Sequence, residues 1–493
     1  MIDDRTPVIV GTGQYNARDL GSEPIDLMAR CVDAALEDAG APALRAAISA
    51  VRVVWGVWPY ADPGRLVAAR VGTPGARTTL TTMGGNQVYD LVNDTAARIQ
   101  RGELEVALIC AAETLRTRRH DRANGRSTVY VAEPEGVSPD ETFGDEHPMA
   151  TSAERALGID TAANFYAMAE TAIRHRNGET VDAHRQRIAS LWAAGSTVAA
   201  NNPDAWFRRA VSADEIAAES DSNRPVASPY PKLMTANLNV DQGGAVLICS
   251  AAAAARAGVP PERWVFPWSG AGAADHWYPT NRWAFDESPA MRLAGGRALT
   301  LAGLGVDECA LVDLYSCFPA AVQVAQRELG ISPDRDWTIT GGLTFAAGPL
   351  NCYCVLPLVR AVRLLRESPG NRAFLTGNGG YFTKHSMLVV AGEPPAKSFA
   401  SESVQTEVDA LPSRPAPTDR PAGTTIETYT VTYGRDGTPQ RAIVACLDEA
   451  GCRHWAETRD ADELERLLTE DCCGTPFVSG FYVDGRGSSP AAR

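Results

Sequence analysis

The thiols and imidazoles of this 493-residue chain are the side chains best suited to attack a carbonyl or carry a proton, and their spacing decides what they could do. Its cysteines (Cys31, Cys110, Cys249, Cys309, Cys317, Cys352, Cys354, Cys446, Cys452, Cys472 and Cys473) are odd in number and scattered, without two CxxC pairs. That pattern fits neither a disulfide framework nor a structural zinc site, and no metal is expected. Cys352 precedes a predicted helix, a location that activates a thiol, yet Cys354 two residues on shows that sulfur is tolerated there without a role. Cys317, in Tyr315-Ser316-Cys317-Phe318, reads either as a nucleophile or as a small buried hydrophobe. His385 follows the turn Gly377-Asn378-Gly379-Gly380 beside Lys384, and is either a proton carrier or a satisfied histidine of a buried strand. A last candidate is the basic run Leu115-Arg116-Thr117-Arg118-Arg119-His120-Asp121-Arg122. Such runs are usually solvated faces, but this one lies in an acidic chain and supplies the local field a phosphate-bearing ligand needs.

Sixty acids against 46 bases give a net charge of −14, and only three bases are lysine: Lys232, Lys384 and Lys397. An acidic surface repels phosphate backbones, so nucleic-acid binding is disfavoured. With 45% hydrophobic and 22% charged residues the chain is globular, and its length predicts two or three packed units. No run approaches ~20 apolar residues, and the start MIDDRTPVIV lacks the pattern of a signal peptide, so a soluble, cytoplasmic protein without a membrane span is expected.

The elements that must position these groups alternate strand and helix from Pro7 to about Pro395, an α/β layered pattern. Gly11-Thr12-Gly13 after the first strand fails as a dinucleotide fingerprint, having no third glycine and no acid in the expected place. An internal repeat organises the chain better. The helix 27–40 and strand 51–55 match the helix 290–303 and strand 310–314; a second helix–strand pair (88–99, 105–110) matches another (355–365, 372–376). Between the halves lies an insertion with two long helices and the stretch Asn201 to Arg209. Residues 397–424 read as a linker. After it, a hairpin around 434–437, a short helix from Asp462 and a final strand from Phe477 predict a small barrel of OB type, with a mobile tail from Asp484.

Seven segments in order (VIVGTGQY, AARIQRGELEVALICAAE, AANNPDAW, VDQGGAVLICS, VDLYSCF, GGLTFAAGPLN and GNGG) resemble the thiolase superfamily over roughly residues 5–395. The likeness is strongest to sterol-carrier-protein-type thiolases and mycobacterial thiolase-like proteins of type 1. The resemblance implies two pseudo-symmetric βαβ-layered halves (1–114 with 236–270, and 271–395), an inserted loop domain (115–235), a linker (396–424) and an OB-like barrel (425–485). It also implies acyl transfer between CoA thioesters through a cysteine at a central helix N-terminus, assisted by a second cysteine, a histidine and an enolate-binding Asn or His. This chain departs at each position. The nucleophile falls at or beside Gly85 in Met83-Gly84-Gly85-Asn86, Gly348 replaces the histidine, the glycine run 377–380 lacks its cysteine, and Tyr315 stands where Asn or His belongs.

Ordinary Claisen chemistry is therefore not expected. The resemblance still implies CoA or acyl-CoA as the ligand, with no tightly bound cofactor. Gly85, Asn86, Gly348, Asn351, Gly377, Gly379 and Gly380 are expected to leave room and let backbone N–H groups approach that ligand. Arg116, Arg119, Arg122, Arg208 and Arg209 would contact phosphate, with Trp206 as an adenine platform. Tyr315, Cys317, Cys352 and His385 remain for altered catalysis. Two other readings stay open: a noncatalytic scaffold in fatty-acid or sterol side-chain breakdown, bound to a partner protein through the barrel, and a hydrolase using Cys352 and His385. Whether the chain is an enzyme, and whether it is a monomer or a dimer, is not written in these residues.

Overall fold

The computed structural model describes residues 2–415, 417, 421 and 423–483, with backbone also for 488–490. Apart from that last strand, the tail expected to be mobile lies outside the described residues.

The first sheet contains β1 (Pro7–Asn16), β2 (Ala50–Val53), β3 (Arg77–Thr81), β4 (Val106–Thr114) and β5 (Glu141–Phe143). Next along the chain, β6 (Pro225–Ala227) and β7 (Tyr230–Pro231) join a different sheet, and β8 (Asp241–Ser250) completes the first in the order β1-β8-β4-β2-β3-β5. β4 and β8 are buried along their whole length, which is why they read as nearly continuous apolar runs. The second sheet contains β9 (Phe266–Ala274), β10 (Leu311–Asp313), β11 (Arg372–Gly379), β12 (Lys384–Ala391) and β13 (Ala400–Ser403), ordered β10-β11-β12-β9-β13. Its core repeats the first sheet strand for strand. β10 is parallel to β11 as β2 is to β4, and β12 is antiparallel to both its neighbours as β8 is.

The repeated helices are built alike. The helix Pro24–Ala39 is capped by the Glu23 carboxylate and closed by Gly40 at φ 65°; the helix Pro289–Ala302 is capped by Ser288 and closed by Gly303 at φ 71°. Two central helices, Gln87–Gln100 and Val355–Glu367, pack against strands of both sheets. Close approach there depends on missing side chains: a Cβ on Gly244 would lie 2.5 Å from Val355 Cγ1, and one on Gly270 only 2.1 Å from Asn93 Oδ1.

The expected half boundary at residue 270 falls inside β9, which pairs with β12 from Phe266 to Ala274 across one bulge between Val389 and Val390. The supposed linker contributes β13, which pairs with β9 in parallel register from Ala400 opposite Ser269. Its sequence Ala-Ser-Glu-Ser carries no apolar alternation because an exposed edge strand is held by its backbone. The C-terminal unit is present, with β14 (Thr425–Tyr433), β15 (Pro439–Leu447), β16 (Arg453–Thr458), β17 (Phe481–Val483) and β18 (Ser488–Pro490), ordered β18-β17-β16-β15-β14-β6-β7. The outer edge of β14 pairs with β6 from the insertion, Thr432 opposite Ala227.

This unit is anchored to the rest of the chain. Arg453, fully buried, pairs with Glu427 at 2.6 Å and donates to the Arg282 carbonyl at 2.6 Å, while Arg174 of the helix Ala162–Asn177 donates to Tyr429 Oη at 2.7 Å. Among the described residues no helix is long and apolar enough to cross a membrane.

Candidate functional site

The chain enters the helix Gln87–Gln100 through Gly84, Gly85 and Asn86, with no side-chain cap on the helix N-terminus. Glycine at 85 does not leave a vacancy. A Cβ there would stand 2.4 Å from the Asn378 carbonyl oxygen and 2.8 Å from Tyr315 Oη, so Tyr315 and the β11 backbone fill the space. Tyr315 is held by its own N–H, which donates to Thr376 Oγ1 at 2.9 Å, and by edge contact with Tyr353. Burial raises its phenol well above the ordinary range, so it is a neutral donor, not a base.

The other glycines correct the same expectation. A Cβ on Gly377 would meet Asn86 Cα at 3.1 Å, one on Gly379 would meet Asn86 Oδ1 at 2.3 Å, and one on Gly348 would meet Leu343 at 3.0 Å. Gly380 adopts φ 71° and faces Met149 and Thr383. They let the two loops interlock; they do not open a cavity at Gly85.

The thiols are sealed. Cys317 is 8% exposed and burial pushes it up to about 12; Cys352 and Cys354, at 3% and 0%, are raised by burial as well. Cys352 Sγ faces the Gln242 carbonyl at 3.9 Å, and Asn351 donates to the Trp55 carbonyl at 3.0 Å. His385 points elsewhere: its Nε2 lies 3.0 Å from Ser288 Oγ and from the Phe382 carbonyl, and 3.5 Å from Asp275. Asp275 and Ser288, 2.5 Å apart, accept the N–H groups of Ala290 and Met291. This buried Ser-His-Asp group is a helix cap, and the Cys352–His385 pair of the hydrolase reading is not assembled.

What does adjoin the helix start is a cavity of about 510 Å³ whose lining includes Asn86, Asp90, Asn93, Trp277, Lys384 and His385. Burial pushes the Asp90 carboxyl up to about 6, against hydrogen bonds from Ser386 and Asn86 and the charge of Lys384. Lys384 is lowered by burial, against the pull of Asp90, and its Nζ donates to the Met83 carbonyl. Such a carboxyl exchanges its proton near neutral pH.

The predicted arginines separate. Arg116 comes to Trp206 with a residue that sequence reasoning missed, Arg18, whose guanidinium lies 4.1 Å over the indole while that of Arg116 lies at 6.0 Å; Arg208 is close enough for its charge to act on Arg18. Arg18 is lowered by burial and by the charges of Arg116 and Arg208. None of the three makes an ion pair among the described residues. Trp206 joins the loop 341–351, its N–H donating to the Ala346 carbonyl at 3.2 Å. Arg209 is instead paired with Glu215 at 2.5 Å, Arg119 is exposed, and Arg122 lines a different cavity. Nothing in the lone Arg18 after the first strand marked it. One trio of metal-ligand types, His175, Asp471 and Cys473, clusters among the described residues, but Arg174 shares Asp471 and the contact ties the C-terminal unit to the insertion.

Comparison with known proteins places this architecture. The family model described as the thiolase-like protein type 1 additional C-terminal domain matches residues 403–478. No curated protein matches. A structure described as the Ltp2-ChsH2(DUF35) aldolase is similar over 78% of this chain and 98% of that one, with TM-score 0.60; at 20% identity it speaks to the fold alone. The monomeric SCP2-thiolase-like protein type 1 from Mycobacterium smegmatis is similar over the whole of both chains, with TM-score 0.85 and 31% identity. At that identity over the full length, the chain belongs to the SCP2-thiolase-like proteins of type 1.

Proposed function

We propose that this protein binds coenzyme A or an acyl-CoA thioester in the cytoplasm and does not carry out thiolase acyl transfer. The observation that carries the ligand is the grouping of Arg18 and Arg116 at Trp206, with Arg208 near enough for its charge to act on Arg18 and with no ion pair to any of the three among the described residues. Like charges held together in a chain of net charge −14 are costly, and an anion relieves that cost. The loss of acyl transfer is supported by Tyr315 and Asn378 filling the nucleophile position and by the raised thiols of Cys317, Cys352 and Cys354.

Calorimetric titration with CoA and acetyl-CoA tests this. Saturable binding that weakens about tenfold in Arg116→Ala or Arg208→Ala, without acetoacetyl-CoA cleavage, is expected. Absence of binding at millimolar ligand sinks it. A second reading, a noncatalytic partner-binding protein in fatty-acid or sterol side-chain breakdown, is favoured by one feature: Val478 and Phe481 of the C-terminal unit are 50% and 51% exposed. The Ltp2-ChsH2(DUF35) aldolase, whose description joins two components, is a precedent for such pairing.

A further inference from the structure

We propose that a second anion site lies across the helix Leu115–Ala123 from Trp206, and that it takes a phosphorylated ligand bearing a flat ring, the chemistry of a nucleoside monophosphate. The site is a cavity of about 580 Å³ lined by Trp55, Trp58, Tyr130, Arg118, Arg122 and Arg126, among others. Its volume lies within the range of small-molecule sites. Residues two apart on a helix face nearly opposite directions, whereas residues four apart share a face. Hence Arg116 turns to Trp206 while Arg118 and Arg122 turn together to this cavity.

The walls are fixed in advance. Trp58 donates its indole N–H to the Ala112 carbonyl at 3.2 Å, and Trp58, Tyr60 and Tyr130 form a chain of ring contacts with centroids 5.1 Å and 5.7 Å apart. Flat faces of this kind hold a planar ring at little entropic cost. The cations are partly fixed as well: Arg118 donates to the Val57 carbonyl at 2.7 Å, and Arg126 pairs with Asp121 at 3.0 Å. Arg122 makes no ion pair among the described residues, and no described residue lining the cavity is acidic. Glu113, which accepts the Val57 N–H at 2.8 Å beneath this wall, is pushed up to about 8 by burial, so at neutral pH it does not offset the positive field. Three guanidinium groups facing one cavity favour a phosphate, which accepts charge-assisted hydrogen bonds from each.

This site uses none of Arg18, Arg116, Arg208 and Trp206, which carry the CoA proposal, and does not rest on that proposal. Calorimetric titration of the full chain with AMP, adenosine and ribose 5-phosphate provides the test. Saturable AMP binding is expected, with adenosine and ribose 5-phosphate each weaker by about tenfold or more. Arg122→Ala, a change at an exposed side chain without an ion pair among the described residues, should weaken AMP by about tenfold, while Arg116→Ala at Trp206 should leave it unchanged. No saturation at millimolar AMP overturns the proposal. So does AMP binding indifferent to Arg122→Ala, and so does ribose 5-phosphate binding as tightly as AMP, which would make it a bare phosphate site. Failure of CoA to bind while AMP responds to Arg122→Ala removes the CoA reading and leaves this one standing.

Discussion

At the start of Gln87–Gln100 the chain presents Gly84, Gly85 and Asn86 beside a polar cavity of about 510 Å³; at the start of its counterpart, Val355–Glu367, it presents Cys352, Tyr353 and Cys354 with almost no exposure. Neither helix has a side-chain cap, and the first-turn N–H groups of Gln87, Tyr89 and Leu356 are met instead by the carbonyls of Gly84, Asn86 and Tyr353. A thiolate at such an end gains up to ~2 kcal/mol. Burial works against it and is larger: moving a thiol such as Cys317 from 9.0 to about 12 costs its anion about 4 kcal/mol. Helix ends therefore activate a group only where solvent or a ligand reaches them. In this fold the sulfur sits at the closed end and the open end has none.

The sharpest way to break that contrast is thiol labelling. Each step in pKa lowers the thiolate fraction tenfold, so Cys317 should label about 1,000-fold more slowly than an ordinary thiol at pH 8, with Cys352 and Cys354 slower still. Cys452, the one cysteine that is not buried, should label first. Mass spectrometry of the native protein under iodoacetamide reads this order directly, and early modification of Cys352 would place a reactive thiol at the second helix after all.

The two ends also differ in what a methyl group would meet. Gly85→Ala drives Cβ toward a backbone oxygen at 2.4 Å, which moves only if β11 moves, and should cost about 3 kcal/mol in urea unfolding. Gly244→Ala on β8, against the second helix, meets the Val355 side chain at 2.5 Å and should cost less, about 2 kcal/mol, since a side chain can turn away. A wild-type midpoint for Gly85→Ala would mean that the chain has room at residue 85.

Much of this was legible before the structure. The repeated helices announced themselves through apolar stripes ending in Gly40 and Gly303. Whether a glycine marks a vacancy or a close approach did not follow, because both remove a side chain. The ring of Tyr315, projecting from the turn after β10, decided it. β13 and Arg18 escaped for a related reason: an edge strand held by backbone bonds, and a lone cation completed by residues about a hundred and about two hundred positions away, leave no local pattern.

The smallest expected effect concerns the open end alone. Desolvation beside the cavity pushes the Asp90 carboxyl up to about 6 from an ordinary 3.8. The native state thus keeps this proton more tightly than the unfolded chain does. Below pH 4 both states are protonated and the group is neutral to stability; between about 4 and 6 the unfolded chain ionises first, and the fold weakens as pH rises. Above pH 6 the penalty is constant, at most about 3 kcal/mol. Asp90→Asn should remove it and give up the attraction to Lys384, for a net gain of about 1–2 kcal/mol at pH 7.5 that vanishes near pH 4. Urea unfolding at the two pH values measures the difference. Equal destabilisation at both would mean that Asp90 is ionised throughout and tied to Lys384, and the open end would then be a closed ion pair instead of a site able to exchange a proton.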